Sequence, residues 1–266
     1  MTKHALFGYT GFVGGYLCKH IPFDYLYNSK NINQATNMSF DTIYISCIPA
    51  VKWIANKNPE ADTKIINEIK DIFRTITAKK IILISTIDVY DNINSKLNEN
   101  SNIDYLNNHT YGKNRYIFEQ FIKKKFENYH IVRLPALFGF GLKKNIIYDL
   151  LNNNNVEKIY KNSSFQWYNL EWLNEDINII IKNKIKTCNL FTEPLETKEI
   201  LNLFPSFNYS NNPTNLFRYD VQSIYERYFP FGKNKYIRSK NIVFNDIQKF
   251  IKKKESKFEL CVSNIC

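Results

Sequence analysis

The stretch Lys3-His4-Ala5-Leu6-Phe7-Gly8-Tyr9-Thr10-Gly11-Phe12-Val13-Gly14-Gly15-Tyr16-Leu17-Cys18 decides the fold. It holds four of the chain's eight glycines. A short apolar run precedes them and reads as a strand. Tyr16-Leu17-Cys18 follows and reads as part of a helix. A strand, a Gly-x-x-Gly-x-x-Gly turn and a helix make a phosphate cradle. Glycine permits the tight turn, lets a ligand approach the backbone and lets helix and strand pack closely. The unpaired N–H groups and positive dipole end of the helix then face an anion. The expectation is a bound dinucleotide, with Gly8, Thr10, Gly11, Phe12, Val13 and Gly14 lining its diphosphate.

Outward from this turn, strand-like runs recur at 4–7, 24–27, 42–47, 80–85, 129–133 and 187–191. Helical patterns separate them. Asn58-Pro59-Glu60 reads as an N-cap with proline at the first helical position. Ile65, Ile66, Ile69, Ile72, Phe73 and Ile76 then recur at helical spacing. A second helix is expected from about Tyr111 to Phe126, with Tyr116, Ile117, Phe121 and Ile122 inward. Such alternation predicts a parallel sheet with helices on both faces. The connection 28–41 is too short for a further helix and strand, so the sheet is expected to be trimmed there. After Pro135 the pattern loosens. A loop leads into a helix ending near Leu151, a helix follows at 170–185, and a short helix at 196–204. The fold class expected is α/β: a Rossmann-type, doubly wound parallel sheet with a small, mainly helical C-terminal substrate lobe. The dinucleotide domain takes residues 1–145 with returning segments at about 165–203. The lobe takes 146–164 and 204–266.

The chain has 266 residues, 44% of them hydrophobic, and a net charge of +11. The densest basic runs, Lys123-Lys124-Lys125 and Lys252-Lys253-Lys254, adjoin apolar helical patterns and read as solvated helix faces. No nucleic-acid-binding module accompanies the charge, so no nucleic-acid partner is expected. The five cysteines are scattered, without metal-ligand spacing, so neither a disulfide framework nor a metal site is expected. Free thiols suit a cytoplasmic location. No apolar stretch approaches the ~18 residues of a membrane span, so no membrane partner is expected.

Ile81-Ile82-Leu83-Ile84-Ser85 runs into Thr86-Ile87-Asp88-Val89-Tyr90-Asp91. A hydroxyl at the carboxyl end of a central parallel strand stands in the crevice where α/β sheets bind ligands. Tyr111-Gly112-Lys113-Asn114-Arg115 opens a helix, and Tyr111 and Arg115 share one of its faces. A phenol titrates near ~10, and a cation within ~4–6 Å lowers that value. Thr86 and Tyr111 can therefore hold a substrate oxygen and exchange its proton, with Arg115 as the charge partner. The second strand ends on Asn28-Ser29-Lys30, without the acid that would bond a 2′-hydroxyl. NADP is therefore favoured, with NAD as the alternative, and Asn28, Ser29 and Lys30 are its ribose-end candidates. Cys47-Ile48-Pro49 should border the cofactor by position.

Gly8-x-x-Gly11-x-x-Gly14, Ser85-Thr86-x-x-Val89-Tyr90 and Tyr111-Gly112-x-x-Arg115-x-x-x-Glu119 resemble the signatures of the extended short-chain dehydrogenase/reductase family. Arg133-Leu134-Pro135 with Gly139-Phe140-Gly141 is similar to a further stretch of it. The order and spacing match over about residues 4–145. Within the family the chain looks most like dTDP-dehydrorhamnose reductases and epimerase/dehydratase enzymes. The resemblance implies a nicotinamide cofactor, a nucleotide-linked sugar as substrate, Thr86, Tyr111 and Arg115 as catalytic residues, and Tyr111 and Arg115 also against the cofactor. It places Asp88, Lys144, Asn145, Gln166 and Tyr168 against the substrate, and leaves a homodimer open. The family's usual lysine is Arg115 here. Its dehydratases carry an acid directly after the threonine, where this chain has Ile87. Reduction, oxidation or epimerisation is thus expected over dehydration. The alternative is a non-catalytic NAD(P)-binding sensor or scaffold protein of the same fold.

Overall fold

A computed structural model describes residues 2–205, 207 and 216–263, with side chains as far as 254. The strands are β1 (His4–Phe7), β2 (Tyr25–Tyr27), β3 (Ser39–Ile45), β4 (Thr77–Thr86), β5 (Tyr129–Leu134), β6 (Ala136–Phe138), β7 (Ser164–Phe165), β8 (Trp167–Asn169), β9 (Thr187–Asn189) and β10 (Leu195–Glu196). The α-helices are α1 (Phe12–His20), α2 (Lys52–Lys57), α3 (Pro59–Thr75), α4 (Thr110–Lys125), α5 (Ile146–Leu151), α6 (Leu173–Lys182), α7 (Thr197–Leu201) and α8 (Lys240–Ser263).

All of the expected main strands form one parallel, six-stranded sheet in the order β2-β1-β3-β4-β5-β9. The short connection before β3 holds only a 3-10 turn, Ile32–Ala35. Both faces of the sheet are apolar, as continuous Ile/Leu/Val runs require when helices cover each side. On one face α3 and α4 bury Ile66, Ile69, Phe73, Phe118 and Ile122 against Ile43, Ile81 and Ile131. On the other, α1 and α6 bury Leu17, Leu173, Ile177 and Ile180 against Leu6, Ile82 and Val132. A separate cluster, including Phe138, Ile147, Leu150, Ile200, Val243 and Ile247, forms the core of the later segments. Two small sheets, parallel β6-β8 and antiparallel β7-β10, accompany the helices there.

Three local readings change. The 170–185 segment opens with a 3-10 turn, Leu170–Trp172, before α6. Asn58 precedes Pro59 but makes no side-chain cap, because its amide donates back to the Ile54 carbonyl. The buried face of α4 is Tyr111, Asn114, Arg115, Phe118, Glu119 and Ile122, while Tyr116, Ile117 and Phe121 are only half-buried. That face is largely polar, so apolar spacing points to its flank. Among the described residues no helix is long and apolar enough to cross a membrane. Cys18, Cys47 and Cys188 are free thiols. The Cys261 side chain and Cys266 lie outside the described residues.

The polar face of α4 docks on an internal charge pair. Arg133, on β5, donates from Nε and Nη2 to the two oxygens of Glu119 at 3.0 and 2.7 Å, and from Nη1 to Tyr90 Oη at 2.8 Å. Ser85 Oγ donates to the same carboxylate at 2.6 Å. Glu119 is completely buried and Arg133 nearly so. The pair is bidentate and its spare lone pairs are used, the condition under which attraction offsets desolvation. It fixes α4 under the carboxyl ends of β4 and β5. Removing one partner strands a buried charge, so Glu119→Ala is expected to cost about 3–5 kcal/mol in denaturant unfolding. Glu119→Leu combined with Arg133→Met should recover most of that loss.

Candidate active site

The glycine turn is built as its spacing predicts. Gly8 has φ of 95°. A Cβ there would come within 2.6 Å of the Ser46 carbonyl and the Cys47 nitrogen, so β1 and the end of β3 meet without room for a side chain. A Cβ on Gly14 would overlap the Gly8 carbonyl oxygen, which is what draws α1 onto the strand end. Gly11 is the N-cap of α1, in extended conformation, and its missing Cβ would touch only the Gly8 oxygen at 3.4 Å. No side chain caps α1 and no acid lies in its first turn, while Lys19 and His20 lie in its last. The first-turn N–H groups of Phe12, Val13 and Gly14 have no carbonyl one turn behind them. Thr10 and Gly11 are exposed, and Phe12 and Val13 half-buried. The open Gly11 face and the uncapped helix start fit an anionic diphosphate.

At the carboxyl end of β2, Asn28 Nδ2 donates to the Tyr9 hydroxyl at 3.0 Å, and its Oδ1 accepts from the Lys30 nitrogen at 2.8 Å. Ser29 and Lys30 are exposed there, with no carboxylate on the turn. Cys47, Ile48 and Pro49 follow β3 and are half-buried. Desolvation pushes the Cys47 thiol up to about 12, so it is an inert wall rather than a nucleophile.

The pairing of β4 with β3 ends at Leu83, and β4 runs on to Thr86. Thr86 is the last residue of the strand, paired with Leu134 of β5 but unpaired on its β3 side. Its Oγ1 accepts from the Asp88 nitrogen and donates to Asp88 Oδ2, both at 3.2 Å, and the same hydroxyl acts on the Tyr111 phenol, lowering its value slightly. The start of α4 presents Tyr111. The helix is capped by His109, whose Nδ1 accepts from the Gly112 nitrogen at 3.0 Å, and Asn56 on α2 accepts from the Tyr111 nitrogen at 2.9 Å. Gly112 is required because a Cβ there would overlap the Asp88 carbonyl.

Arg115 lies one turn on, with its guanidinium 4.0 Å from the centre of the Tyr111 ring. Its Nη1 donates to Asp62 Oδ2 at 2.5 Å and to the Tyr111 carbonyl at 3.3 Å, and its Nη2 donates to the Pro49 carbonyl. Its Nε is buried without a partner among the described residues. Arg115 thus ties α4 to α3 and to the turn after β3, and keeps one donor unspent. Its charge does lower the Tyr111 value, but burial and the Asp88 carboxylate outweigh it, and the phenol is pushed up to about 12. The expected lowering is reversed because desolvation of Tyr111 and the Asp88 charge outweigh the Arg115 charge, with Asp62 adding a smaller effect in the same direction.

Asp88 sits at the mouth of this pair. Lys52 Nζ, on α2, bonds its Oδ1 at 2.6 Å, and His109 Nε2 lies 3.8 Å from the same oxygen. Burial and the nearby Lys52 charge lower the His109 value. Tyr219 faces the same carboxylate, and burial with that charge raises its phenol. Beyond Lys52, a cleft of about 880 Å³ opens between Trp53 and the aromatic rings of Tyr160, Phe165 and Phe217, with Asp149, Asn155 and Lys158 on its walls. Lys144 crosses to this region and donates to the Ala50 carbonyl.

The remaining substrate-side expectations are corrected. Gln166 is buried, donating to the Thr192 and Val221 carbonyls and accepting from the Val221 nitrogen. Tyr168 is fully buried and donates to Asp176, which also accepts from Arg238. Both brace the core instead of facing a ligand, since strand alternation alone does not say which side of β8 is open. Asn145 caps α5 by accepting from the Tyr148 nitrogen, and its amide donates to the Leu137 carbonyl.

Lys52, Asp62, Trp53 and Tyr219 join the site without having been singled out. Asp62 was signalled: it is in phase with Ile66, Ile69 and Phe73 on the apolar stripe of α3, where an acid needs a partner. Lys52 carries no such signal, because its partner lies 36 residues away across the sheet.

No family model matches the chain, and no curated protein matches it. Solved structures do. A dTDP-4-dehydrorhamnose reductase from Yersinia enterocolitica aligns with a TM-score of 0.66 over 94% of this chain and 99% of its own, at 13% identity. A UDP-N-acetylglucosamine 4-epimerase from Methanobrevibacter ruminantium aligns at 0.69 over 96% and 99%, at 13% identity. A dTDP-4-dehydrorhamnose reductase from Bacillus anthracis, in complex with NADP, aligns at 0.62 over 82% and 84%, at 18% identity. The shared property is the fold. The Rossmann-type architecture expected from the glycine turn and the motif order is therefore present from the amino terminus into the C-terminal segments.

The two ends of the glycine turn should respond differently to a methyl group. Gly11→Ala is expected to unfold within about 0.5 kcal/mol of wild type. Gly14→Ala must displace the Gly8 carbonyl and should cost about 1–3 kcal/mol. Thermal unfolding of the two variants compares them directly.

Proposed function

We propose that this chain is an NADP-dependent enzyme that reduces a carbonyl of a nucleotide-linked sugar, with NAD as the alternative cofactor and epimerisation as the alternative outcome. The observation that carries the proposal is the neighbouring Thr86 and Tyr111 hydroxyls at the carboxyl end of the sheet, beside the open glycine cradle. The names of the fold neighbours, reductases and epimerases of dTDP- and UDP-sugars, support the same class.

The cradle residues Gly8 to Gly14 would hold the diphosphate, and Ser29 and Lys30 the 2′-phosphate. The buried Arg115 Nε is an unspent donor that fits a ribose hydroxyl. A bound nicotinamide supplies or removes hydride; every proton is the chain's to manage. Thr86 Oγ1 orients the substrate oxygen. Tyr111 gives that oxygen a proton. Tyr111, raised to about 12, is protonated at neutral pH, the form from which a reductase donates. The aromatic cleft between Trp53 and Phe217 is large enough for the nucleotide-linked part of a substrate and is walled by rings on which a base can stack.

A second reading has its own support. Arg115 is spent on Asp62 and Pro49, and the phenol is not primed as a base, which is the state expected of a NAD(P)-binding protein that has lost its chemistry. NADPH consumption with a panel of nucleotide-linked ketosugars separates the two. On the enzyme reading, Tyr111→Phe lowers kcat by about 10²–10⁴-fold while the Kd for NADPH stays within about twofold. Undiminished turnover by Tyr111→Phe removes the mechanism. Tight NADPH binding by wild type without turnover favours the non-catalytic reading.

A further inference from the structure

A tyrosine that donates a proton in each cycle must be recharged, and Tyr111 is buried. Arg115 cannot recharge it. A guanidinium does not release protons in the working range of proteins, and its Nη groups are held by Asp62, Pro49 and the Tyr111 carbonyl. The other polar neighbour of the phenol is Thr86. Thr86 Oγ1 lies 3.2 Å from Asp88 Oδ2, and Asp88 Oδ1 lies 2.6 Å from Lys52 Nζ. The Lys52 side chain is 40% exposed and that of Asp88 15%. Hydrogen bonds join Thr86 through Asp88 to an ammonium in solvent, and the Thr86 hydroxyl acts directly on the buried phenol. The residues come from β4, the turn after it, α2 and α4, so the sequence motifs alone do not join them.

We propose that Thr86, Asp88 and Lys52 form a proton path between Tyr111 and solvent, in which Asp88 and Lys52 exchange protons with the phenol through Thr86. The path takes over a duty that Arg115 is unable to perform. After Tyr111 has given its proton to a substrate oxygen, the Thr86 O–H bond breaks and its proton moves to the phenolate oxygen. The Lys52 ammonium gives a proton to the Asp88 carboxylate, the carboxylic acid so formed gives one to the Thr86 oxygen and is again a carboxylate, and the Lys52 amine is reprotonated by solvent. One proton enters for each one consumed, no electrons move along the path, and reversing every step serves the oxidising direction. Asp88 also faces His109 from the turn before α4 and Tyr219 from the C-terminal segment, and Tyr111 faces Arg115 and, beyond it, Asp62. His109 is a poorer link than Lys52. Its Nε2 is 3.8 Å from Asp88, its Nδ1 is committed to the Gly112 nitrogen, and it is less exposed.

The use made of the proton rests on the reductase reading above, but the path itself can be measured without cofactor or substrate. The full chain is prepared with ¹³Cζ-tyrosine, and the Tyr111 resonance is assigned by its loss in Tyr111→Phe. The lifetime of the phenolic proton at neutral pH is then read from the ¹³Cζ isotope splitting in mixed H₂O and D₂O. Removing a positioned proton carrier is expected to slow exchange by about 10²-fold in Asp88→Asn and Thr86→Val, and by about tenfold in Lys52→Met, where water can partly substitute. Formate added to Asp88→Ala should restore fast exchange, which a merely structural role for Asp88 does not predict. The Lys52 side chain lies at the surface, so Lys52→Met keeps the test available if an Asp88 variant fails to fold. Exchange within twofold of wild type in Lys52→Met, or in a folded Asp88→Asn, overturns the path. Absence of turnover on the sugar panel removes the reductase reading but leaves this measurement to decide the path on its own.

Discussion

At Gly8 and Gly14 one backbone segment lies directly against another, and the site is arranged around that contact. Neither position has room for a Cβ, and Gly8 adopts a left-handed φ that other residues accept reluctantly. Helix α1 can therefore begin immediately after β1 and point its uncapped start into the crevice beside β3. The other elements of the candidate site are located relative to that crevice. β4 runs past its pairing with β3 to carry Thr86 to the carboxyl end of the sheet, and α4 is held in position by the Glu119–Arg133 pair beneath it. A single lost glycine would shift the helix, while the chemistry at Thr86 and Tyr111 would have nothing to act beside.

Arginine at position 115 changes the electrostatics more than the geometry. A lysine there would carry a compact, movable charge. The guanidinium is planar, permanently charged and rich in donors, and it has been recruited to hold three elements together through Asp62, Pro49 and the first turn of α4. A buried ion pair of this kind contributes little net stability against the same volume of apolar side chains, but it is costly to break. For Tyr111, burial and Asp88 outweigh the attraction from Arg115, with Asp62 adding a smaller effect in the same direction, and the phenol stays protonated. The polar chemistry of the site therefore moves to its other side, where Asp88 meets Lys52.

Much of the fold was legible because its signals are local. The apolar runs at 4–7, 80–85 and 129–133 coincide with β1 and with most of β4 and β5, and the glycine spacing placed the turn between β1 and α1. Tyr111 and Thr86 could be named because each sits at the end of a regular element with a recognisable neighbour pattern. The failures share a different character. Gln166 immediately precedes β8 and Tyr168 lies on it, and nothing in so short a strand says which side is buried. Asn145 looked like a ligand residue because caps and binding residues favour the same side chains. On α4 the expected inward Ile122 is buried, but Asn114, Arg115 and Glu119 are buried as well, residues that apolar periodicity assigns to solvent. Lys52 was invisible because only the parallel order β3-β4 brings α2 over the end of β4. The buried Asp62 was within reach, since an acid in phase with an isoleucine stripe announces a buried partner.

The central claim is spatial: a dinucleotide gripped at Gly8–Gly14 lays its reactive ring beside the phenol of residue 111. A crystal structure of the chain with NADPH tests it most directly. The account predicts the diphosphate on the first-turn N–H groups of α1 and the nicotinamide C4 within about 4 Å of both the Tyr111 hydroxyl and the Thr86 hydroxyl, the separation of a reactive contact. A diphosphate bound away from the glycine turn, or a nicotinamide on the far side of β3 from α4, would contradict it.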